Sequence, residues 1–302
     1  VNAKGVLPAS HPLAVGGSGS CAAVREAFRA ADVVLAVGTE FSETDYDFFY
    51  AGALISDGSL IRIDIDAAQL SRNLKPELAI CSDAHHALAA LNAALQRDPI
   101  PAKDGSAWAQ TIRDGLQQGR DARYQAFFDA IRSALPEAII AGDSTQPTYH
   151  AWLHYETEAP RRYFHSASGY GTLGYAIPAA IGAKLGQPTR PVIALIGDGA
   201  AQFTLGEIAS AVEAKAPVIF LIWNNLGYAE IQRFFEAADV ERIGVDLHTP
   251  DFVALAKSFG CSAQRAADLD DLERALKRAA EDPLPTLIEV RQADFVDGYP
   301  AE

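Results

Sequence analysis

The sequence predicts an α/β protein with a doubly wound parallel sheet and, before it, a partial second α/β domain. Short apolar runs rich in β-branched residues alternate with segments that have helical spacing of apolar positions, a pattern typical of parallel sheets. Two of these runs, Val192–Ile196 and Val218–Trp223, are continuously apolar, as expected for strands buried on both faces. Each run ends in a short polar motif, and the carboxyl ends of such strands are where open α/β sheets bind ligands.

The first part of the chain predicts a smaller α/β layer. Residues 21–30 have helical spacing, Val33–Val37 and Leu60–Ile65 are predicted strands, and Ala84–Leu95 is a predicted helix. We assign residues 1–97 to the C-terminal part of a central α/β domain. Residues 98–134, with prolines at 99 and 101, are assigned to a linker followed by helices.

The second predicted domain covers residues 135–302. The predicted strands are 138–141, 162–165, 192–196, 218–223 and 286–290, and the predicted helices are 175–185, 205–215, 250–259 and 268–280.

Composition excludes several kinds of partner. The 302 residues carry a formal net charge of −14, which disfavours nucleic acid and anionic membranes as partners. No apolar run is long enough to span a bilayer. The three cysteines, Cys21, Cys81 and Cys261, are scattered and odd in number, which predicts reduced thiols and a cytoplasmic location.

The polar motifs predict a metal site. Gly197-Asp198-Gly199 follows one predicted strand and Asn224-Asn225 follows the next. Aspartate and asparagine provide the oxygen ligands that Mg²⁺ prefers, and glycines let the backbone approach a diphosphate. The alternative is structural, with Asp198 capping the next helix and the asparagines forming a turn.

Residues 169–174, GYGTLG, match a second phosphate-binding pattern. The GxGxxG spacing before a helix, with Asp198 further along, is also found in dinucleotide-binding folds. We favour a different cofactor because an acid between two glycines suits close approach to phosphate better than a ribose contact. A dinucleotide site also gives no role to the paired asparagines.

The stretches GYGTLGYAIPAAIGAKLG, PVIALIGDGAAQFTLGEIASAVEA and VIFLIWNNLGYAEI resemble the thiamine diphosphate enzymes, specifically the branch of acetolactate synthases and 2-oxo acid decarboxylases. The resemblance implies thiamine diphosphate and Mg²⁺ as cofactors. It implies that the Asp198 carboxylate, the Asn225 amide oxygen and the Gly227 carbonyl are metal ligands. The positions implied to contact the cofactor are Asp143, Ser144, Thr145, Gln146, Gly171, Thr172, Leu173, Gly197, Gly199, Ala200 and Tyr228.

Within that set the resemblance assigns particular roles. Leu173 matches the apolar residue that wedges the cofactor into a bent shape, and ordinary core packing is the alternative. Gly171 matches the position whose carbonyl accepts a hydrogen bond from the cofactor's 4′-amino group. Residues 143–146 match the diphosphate pocket, although an Asp-Ser-Thr cluster is also a common helix cap.

The implied activity is decarboxylation of a 2-oxo acid, and the alternatives are acetolactate synthase-like carboligation or a non-catalytic subunit. In this family a glutamate on an N-terminal pyrimidine-binding domain promotes activation of the cofactor. Nothing here matches that domain, so no catalytic residue is assigned. We expect the domain to come from a missing segment or another chain, in a homodimer or homotetramer.

One departure from the synthase pattern concerns flavin. Acetolactate synthases carry an arginine where this chain has Glu40, which predicts a flavin-free protein. The stretches GTEFSETDYDF and FHSASGYGTLGYAIP are similar to those of 5-guanidino-2-oxopentanoate decarboxylases. The acidic residues of segment 40–47 would suit a guanidinium substrate.

Overall fold

The computed structural model describes residues 3–48, 51–101, 103–167 and 170–295. By their contacts these residues form two compact units, one of residues 9–119 and one of residues 120–295 together with 3–8. The division falls inside the predicted 98–134 segment, between two helices. The domain boundaries expected from the sequence, 1–97, 98–134 and 135–302, stay a prediction.

The smaller unit contains a three-stranded parallel sheet in the order β1-β2-β3. Its elements are α1 (Ala22–Ala30), β1 (Val33–Val37), β2 (Ser59–Asp64), a 3-10 turn (Gln69–Ser71), β3 (Leu78–Cys81), α2 (Ala84–Arg97) and α3 (Ser106–Gln117). Strand β3 was not predicted, because its four residues are too few to show a period.

A buried arginine organises the acidic loop of this unit. Arg62 lies on β2, is almost fully buried, and donates to three backbone carbonyls while its guanidinium stacks over the Phe41 ring at 4.7 Å. Arg72 donates to the carboxylates of Glu40 and Glu43 at 3.1 and 3.3 Å. Two of the acidic residues expected to face a guanidinium substrate therefore contact a guanidinium of their own unit.

The larger unit is a six-stranded parallel sheet in the order β5-β4-β6-β7-β9-β8, which confirms the predicted fold class. The strands are β4 (Ile139–Gly142), β5 (Tyr163–His165), β6 (Val192–Gly197), β7 (Ile219–Asn224), β8 (Ser262–Ala266) and β9 (Thr286–Arg291). The helices are α4 (Ala122–Ala134), α5 (Gln146–His154), α6 (Ala176–Gly186), α7 (Asp198–Ala201), α8 (Glu207–Glu213), α9 (Ala229–Ala237), α10 (Phe252–Ser258), α11 (Leu269–Glu281) and α12 (Gln292–Phe295).

Helices cover both faces of this sheet. Ile193 and Leu195 of β6 pack on the side of α4 and α11, whereas Ala194 and Ile196 pack on the side of α6, α8 and α10. Because alternate residues of one strand enter two different cores, the strand is apolar throughout. This arrangement explains why β6 and β7 could be predicted as continuous apolar runs.

Strand β8 and helices α5 and α9 were not predicted. The sequence of β8, SAQRA, is polar because the strand lies at the edge of the sheet and is only partly buried. Helix α5 begins directly after Thr145, with a proline in its first turn. Within the part of the chain that the structure describes, every helix is too short or too polar to cross a lipid bilayer.

Candidate functional site

The two polar motifs meet at the carboxyl ends of neighbouring strands. Strands β6 and β7 pair in parallel, with Gly197 opposite Trp223. Asp198 follows β6 and Asn225 follows β7, and the backbone N–H of Asn225 donates to Asp198 Oδ1 at 3.3 Å. Sheet topology therefore brings together the residues that the sequence placed at separate strand ends.

Three oxygens converge at this point. The Asn225 amide has two possible orientations, and in the one in which its NH₂ group donates to Gln292 Oε1 at 3.3 Å its oxygen lies on the side of the GDG motif. That oxygen lies 3.1 Å from Asp198 Oδ1 and 2.9 Å from the Gly227 carbonyl oxygen. Neighbouring ligands of an octahedral Mg²⁺ with bonds of about 2.1 Å lie about 3.0 Å apart. The Asn225 oxygen thus lies, from each of the other two predicted ligands, at the spacing expected of neighbouring oxygens in a magnesium shell.

Asp198 is a buried carboxyl group whose ionised form a nearby cation would stabilise. It is 1 % exposed, and burial raises its pKa to about 6, against the opposing effects of hydrogen bonds from the Asn225 N–H and the Thr249 hydroxyl. The Thr249 bond, at 3.2 Å, is to Oδ2. Because a bound cation favours the ionised form, Mg²⁺ would lower this pKa again.

The loop that carries the other two ligands has an unusual backbone. Leu226 has φ +64° and Gly227 has φ +155°. Asn224 Oδ1 accepts the Leu226 N–H at 3.1 Å, which supports the turn. A Cβ atom at Gly227 would lie 2.7 Å from the Val245 carbonyl oxygen, so only glycine fits there without movement.

Glycines also allow close approach in the GDG motif. A Cβ atom at Gly199 would lie 2.6 Å from the Tyr228 ring, and one at Gly197 would lie 3.1 Å from Thr145 Oγ1. The predicted cofactor positions of three separate segments therefore lie side by side here. Ala200 follows within the buried α7.

The glycine-rich loop lies beside Ser144. Gly171 has φ +62°, and a Cβ atom there would lie 3.5 Å from Ser144 Oγ. Asp143 is fully buried, and its two oxygens accept the N–H groups of Ser144 and Ala176, each at 2.9 Å. Asp143 thus ties β4 to the start of α6, and its contact with a cofactor stays a prediction.

The remaining predicted residues have other surroundings. Thr172 is exposed, and Leu173 packs against the apolar cluster between the sheet and α6. Gln146, the first residue of α5, donates to Glu230 Oε2 at 3.5 Å. Gly169, the first residue of the glycine pattern, lies outside the described residues.

Sequence reasoning missed three residues of the site. Thr249 bonds Asp198, Glu230 bonds Gln146, and Gln292 bonds Asn225. Thr249 and Gln292 lie in segments without a motif, so no sequence signal could have found them. Glu230 lies within the stretch VIFLIWNNLGYAEI, but nothing in the sequence indicates its contact with Gln146. Among the described residues no group of three or more His, Cys, Asp or Glu forms a metal cluster. A cation at this site therefore depends on amide, carbonyl and cofactor oxygens besides one carboxylate.

Comparison with known families decides between the possible cofactors. Residues 143–290 match the C-terminal TPP binding domain of thiamine pyrophosphate enzymes, and residues 1–91 match their central domain. The chain belongs to the thiamine pyrophosphate enzymes. This membership confirms the resemblance stated from the motifs and indicates thiamine diphosphate, another name for the pyrophosphate, as the cofactor. The dinucleotide alternative is not supported.

Several relatives align with nearly all of the chain. It is 38 % identical to the probable 2-ketoarginine decarboxylase of Pseudomonas aeruginosa over 97 % of the chain and 53 % of that protein. It is 30 % identical to the benzoylformate decarboxylase of the same organism, over 95 % of the chain and 52 % of the relative. Identity to the probable acetolactate synthase large subunit of Methanocaldococcus jannaschii is also 30 %, over 95 % and 51 %. The chain thus spans about half the length of these relatives.

Proposed function

We propose that this chain supplies the metal and diphosphate site of a thiamine diphosphate- and Mg²⁺-dependent 2-oxo acid decarboxylase. The observation that carries the proposal is that the Asn225 oxygen lies 3.1 Å from Asp198 Oδ1 and 2.9 Å from the Gly227 carbonyl oxygen. The Asp198 carboxyl group is also one that burial makes costly to ionise. A divalent cation removes both the repulsion between the oxygens and the cost of the buried charge.

The residues of the site then have separable roles. Asp198, Asn225 and Gly227 hold the cation, which offsets the charge of the diphosphate. Residues 144–146, Gly197, Gly199, Ala200 and Tyr228 would surround the diphosphate, and Gly171, Thr172 and Leu173 would lie towards the rings. When bound, thiamine diphosphate supplies a carbon nucleophile that adds to the keto group and takes up the electron pair released with CO₂.

A partner domain is part of the proposal. Exposed apolar side chains follow the ligand loops, with Phe203, Leu226 and Ile231 exposed by 62, 49 and 45 %. A pyrimidine-binding domain, from elsewhere in a longer polypeptide or from another chain, would cover this surface and supply the acid–base group. A homodimer or homotetramer provides such a domain symmetrically. The cytoplasmic location stays a prediction.

For the substrate we propose a 2-oxo acid with a guanidinium group. The 38 % identical relative is named as a 2-ketoarginine decarboxylase. Glu230, in the first turn of α9, is a partly exposed carboxylate that directly follows the ligand loop. A carboxylate binds a guanidinium well through paired hydrogen bonds. Glu230 contacts Arg233 at 3.5 Å, a longer pairing than those of Glu40 and Glu43 with Arg72 at 3.1 and 3.3 Å. Because it also follows the ligand loop, Glu230 is the better candidate acceptor.

Two alternatives have support. The Methanocaldococcus relative is named as an acetolactate synthase, so carboligation is the first alternative. A non-catalytic subunit is the second, although the intact ligand set argues against loss of cofactor binding. Product analysis separates the first alternative, because carboligation yields a new carbon–carbon bond whereas decarboxylation yields an aldehyde.

The test combines binding and turnover. Calorimetry should detect thiamine diphosphate binding that requires Mg²⁺ and is lost in the Asp198→Ala variant. The chain supplied with a pyrimidine-binding domain should release CO₂ from 5-guanidino-2-oxopentanoate faster than from pyruvate or benzoylformate. Unchanged cofactor affinity in the Asp198 variant would refute the metal assignment. Binding without turnover of any of these acids would favour the non-catalytic subunit.

A further inference from the structure

We propose that Gln292, held by the indole N–H of Trp223, is the positioning residue that turns the Asn225 amide oxygen towards the metal. The inference rests on the proposed function and adds a residue outside the motifs. Gln292 directly follows β9 and is 1 % exposed. Its Oε1 accepts hydrogen bonds from Trp223 Nε1 at 2.7 Å and from Asn225 Nδ2 at 3.3 Å.

Hydrogen-bond polarity fixes the orientation of the Gln292 amide. The indole N–H can only donate, so the Gln292 atom that faces it must be the oxygen. The same oxygen can accept a second bond, and only the NH₂ group of Asn225 can donate it. The Asn225 oxygen is then left on the side of Asp198 and Gly227, where the metal would bind.

The opposite orientation of Asn225 competes with this arrangement when no cation is bound. Its NH₂ group would then donate to Asp198 Oδ1 and to the Gly227 oxygen at 3.1 and 2.9 Å. It would also place the Asn225 oxygen against Gln292 Oε1, where both atoms are acceptors. Gln292 therefore penalises the orientation that would point N–H groups at a cation.

The backbone of the ligand loop is held independently of Gln292. Asn224 accepts the Leu226 N–H and donates to the buried Glu289 at 2.7 Å. Arg265 in turn pairs with Glu289 at 2.9 Å. Because these contacts support the turn, loss of the Gln292 acceptor should change the preference of the Asn225 amide and leave the loop in place.

The test measures Mn²⁺ binding to the full 302-residue chain by electron paramagnetic resonance, with thiamine diphosphate present. Gln292→Met, similar in shape but without a strong acceptor, should raise the Mn²⁺ Kd about threefold to tenfold, as expected for one hydrogen bond. Gln292→Glu keeps the acceptor and should bind at least as tightly as the wild type. Thermal unfolding of each variant without metal shows whether the fold is retained.

A second pair of variants, made in an Asn225→Asp chain, separates a positioning role of Gln292 from general damage to the metal site. In an Asn225→Asp chain both outer atoms are oxygens, so there is no amide to orient, and Gln292→Met should not weaken Mn²⁺ binding there. Equal Kd values for Gln292→Met and the wild type would overturn the inference, and so would equal weakening in both backgrounds. Failure of the wild type to bind Mn²⁺ more tightly than Asp198→Asn would instead refute the proposed function.

Discussion

Replacing Asp198 with Asn should stabilise the metal-free protein while it removes the metal site. Burial raises the pKa of this carboxyl group from 3.8 to about 6. The folded state therefore holds the proton more tightly than the unfolded state does. Stability falls as the pH rises from about 4 to about 6, and the loss persists above that range. Asparagine has nearly the same shape and no charge, so it avoids this cost.

The magnitude follows from the shift. About two pKa units at about 1.4 kcal/mol each give about 3 kcal/mol at pH 7, and the same two-state titration gives about 1.5 kcal/mol at pH 5. Both hydrogen bonds to the position can persist, because Asn225 N–H still meets an oxygen and the Thr249 hydroxyl can rotate to accept. We therefore expect Asp198→Asn to be more stable than the wild type by about 2–3 kcal/mol at pH 7 and about half of that at pH 5.

Urea unfolding with a chelator present, followed by tryptophan fluorescence, measures this difference at the two pH values. Trp152 and Trp223 report on the larger unit. Asp251→Asn is the matched control, because Asp251 is an exposed helix cap at which asparagine caps equally well. Adding Mg²⁺ and thiamine diphosphate should stabilise the wild type and leave Asp198→Asn unchanged. A variant less stable than the wild type at pH 7 without metal, or a difference independent of pH, would refute the reasoning.

Three further predictions concern the ligand loop, the substrate and flavin. Gly227→Ala should weaken Mg²⁺-dependent cofactor binding by about tenfold or more, because its Cβ atom would lie 2.7 Å from the Val245 carbonyl oxygen. Gly186→Ala is the control, since there is open space around Gly186, and calorimetry should show unchanged cofactor binding for it. Glu230→Gln should lower kcat/KM for 5-guanidino-2-oxopentanoate by about tenfold to a hundredfold and leave kcat/KM for a 2-oxo acid with an uncharged side chain unaffected. Glu43→Gln should change neither value, and equal losses on both substrates in Glu230→Gln would contradict this role. The protein should purify without colour, and a stoichiometric absorbance band near 450 nm would restore the flavin-dependent synthase interpretation.

The amino-acid sequence alone predicted the fold class and a candidate site at the ends of two neighbouring strands. Continuous apolar runs such as 192–196 predict strands buried on both faces, and polar motifs after two such runs must meet if the strands are neighbours. Asp198 and Asn225 could be chosen as ligands because their motifs are local and each follows its strand directly. The fold class and the family are confirmed, whereas the individual roles of the site residues stay predictions.

Only the tertiary structure decided which distant residues complete the site. Thr249 and Gln292 reach Asp198 and Asn225 from segments with no motif, so their roles depend on side-chain distances that no spacing along the chain encodes. The pairing of Glu40 and Glu43 with Arg72 was hidden for the same reason, whereas strand β8 was missed because a partly buried edge strand has a polar sequence. Local sequence sets which strand a residue follows, but the orientation of an amide or the pairing of a charge depends on neighbours that only folding brings within about 3 Å.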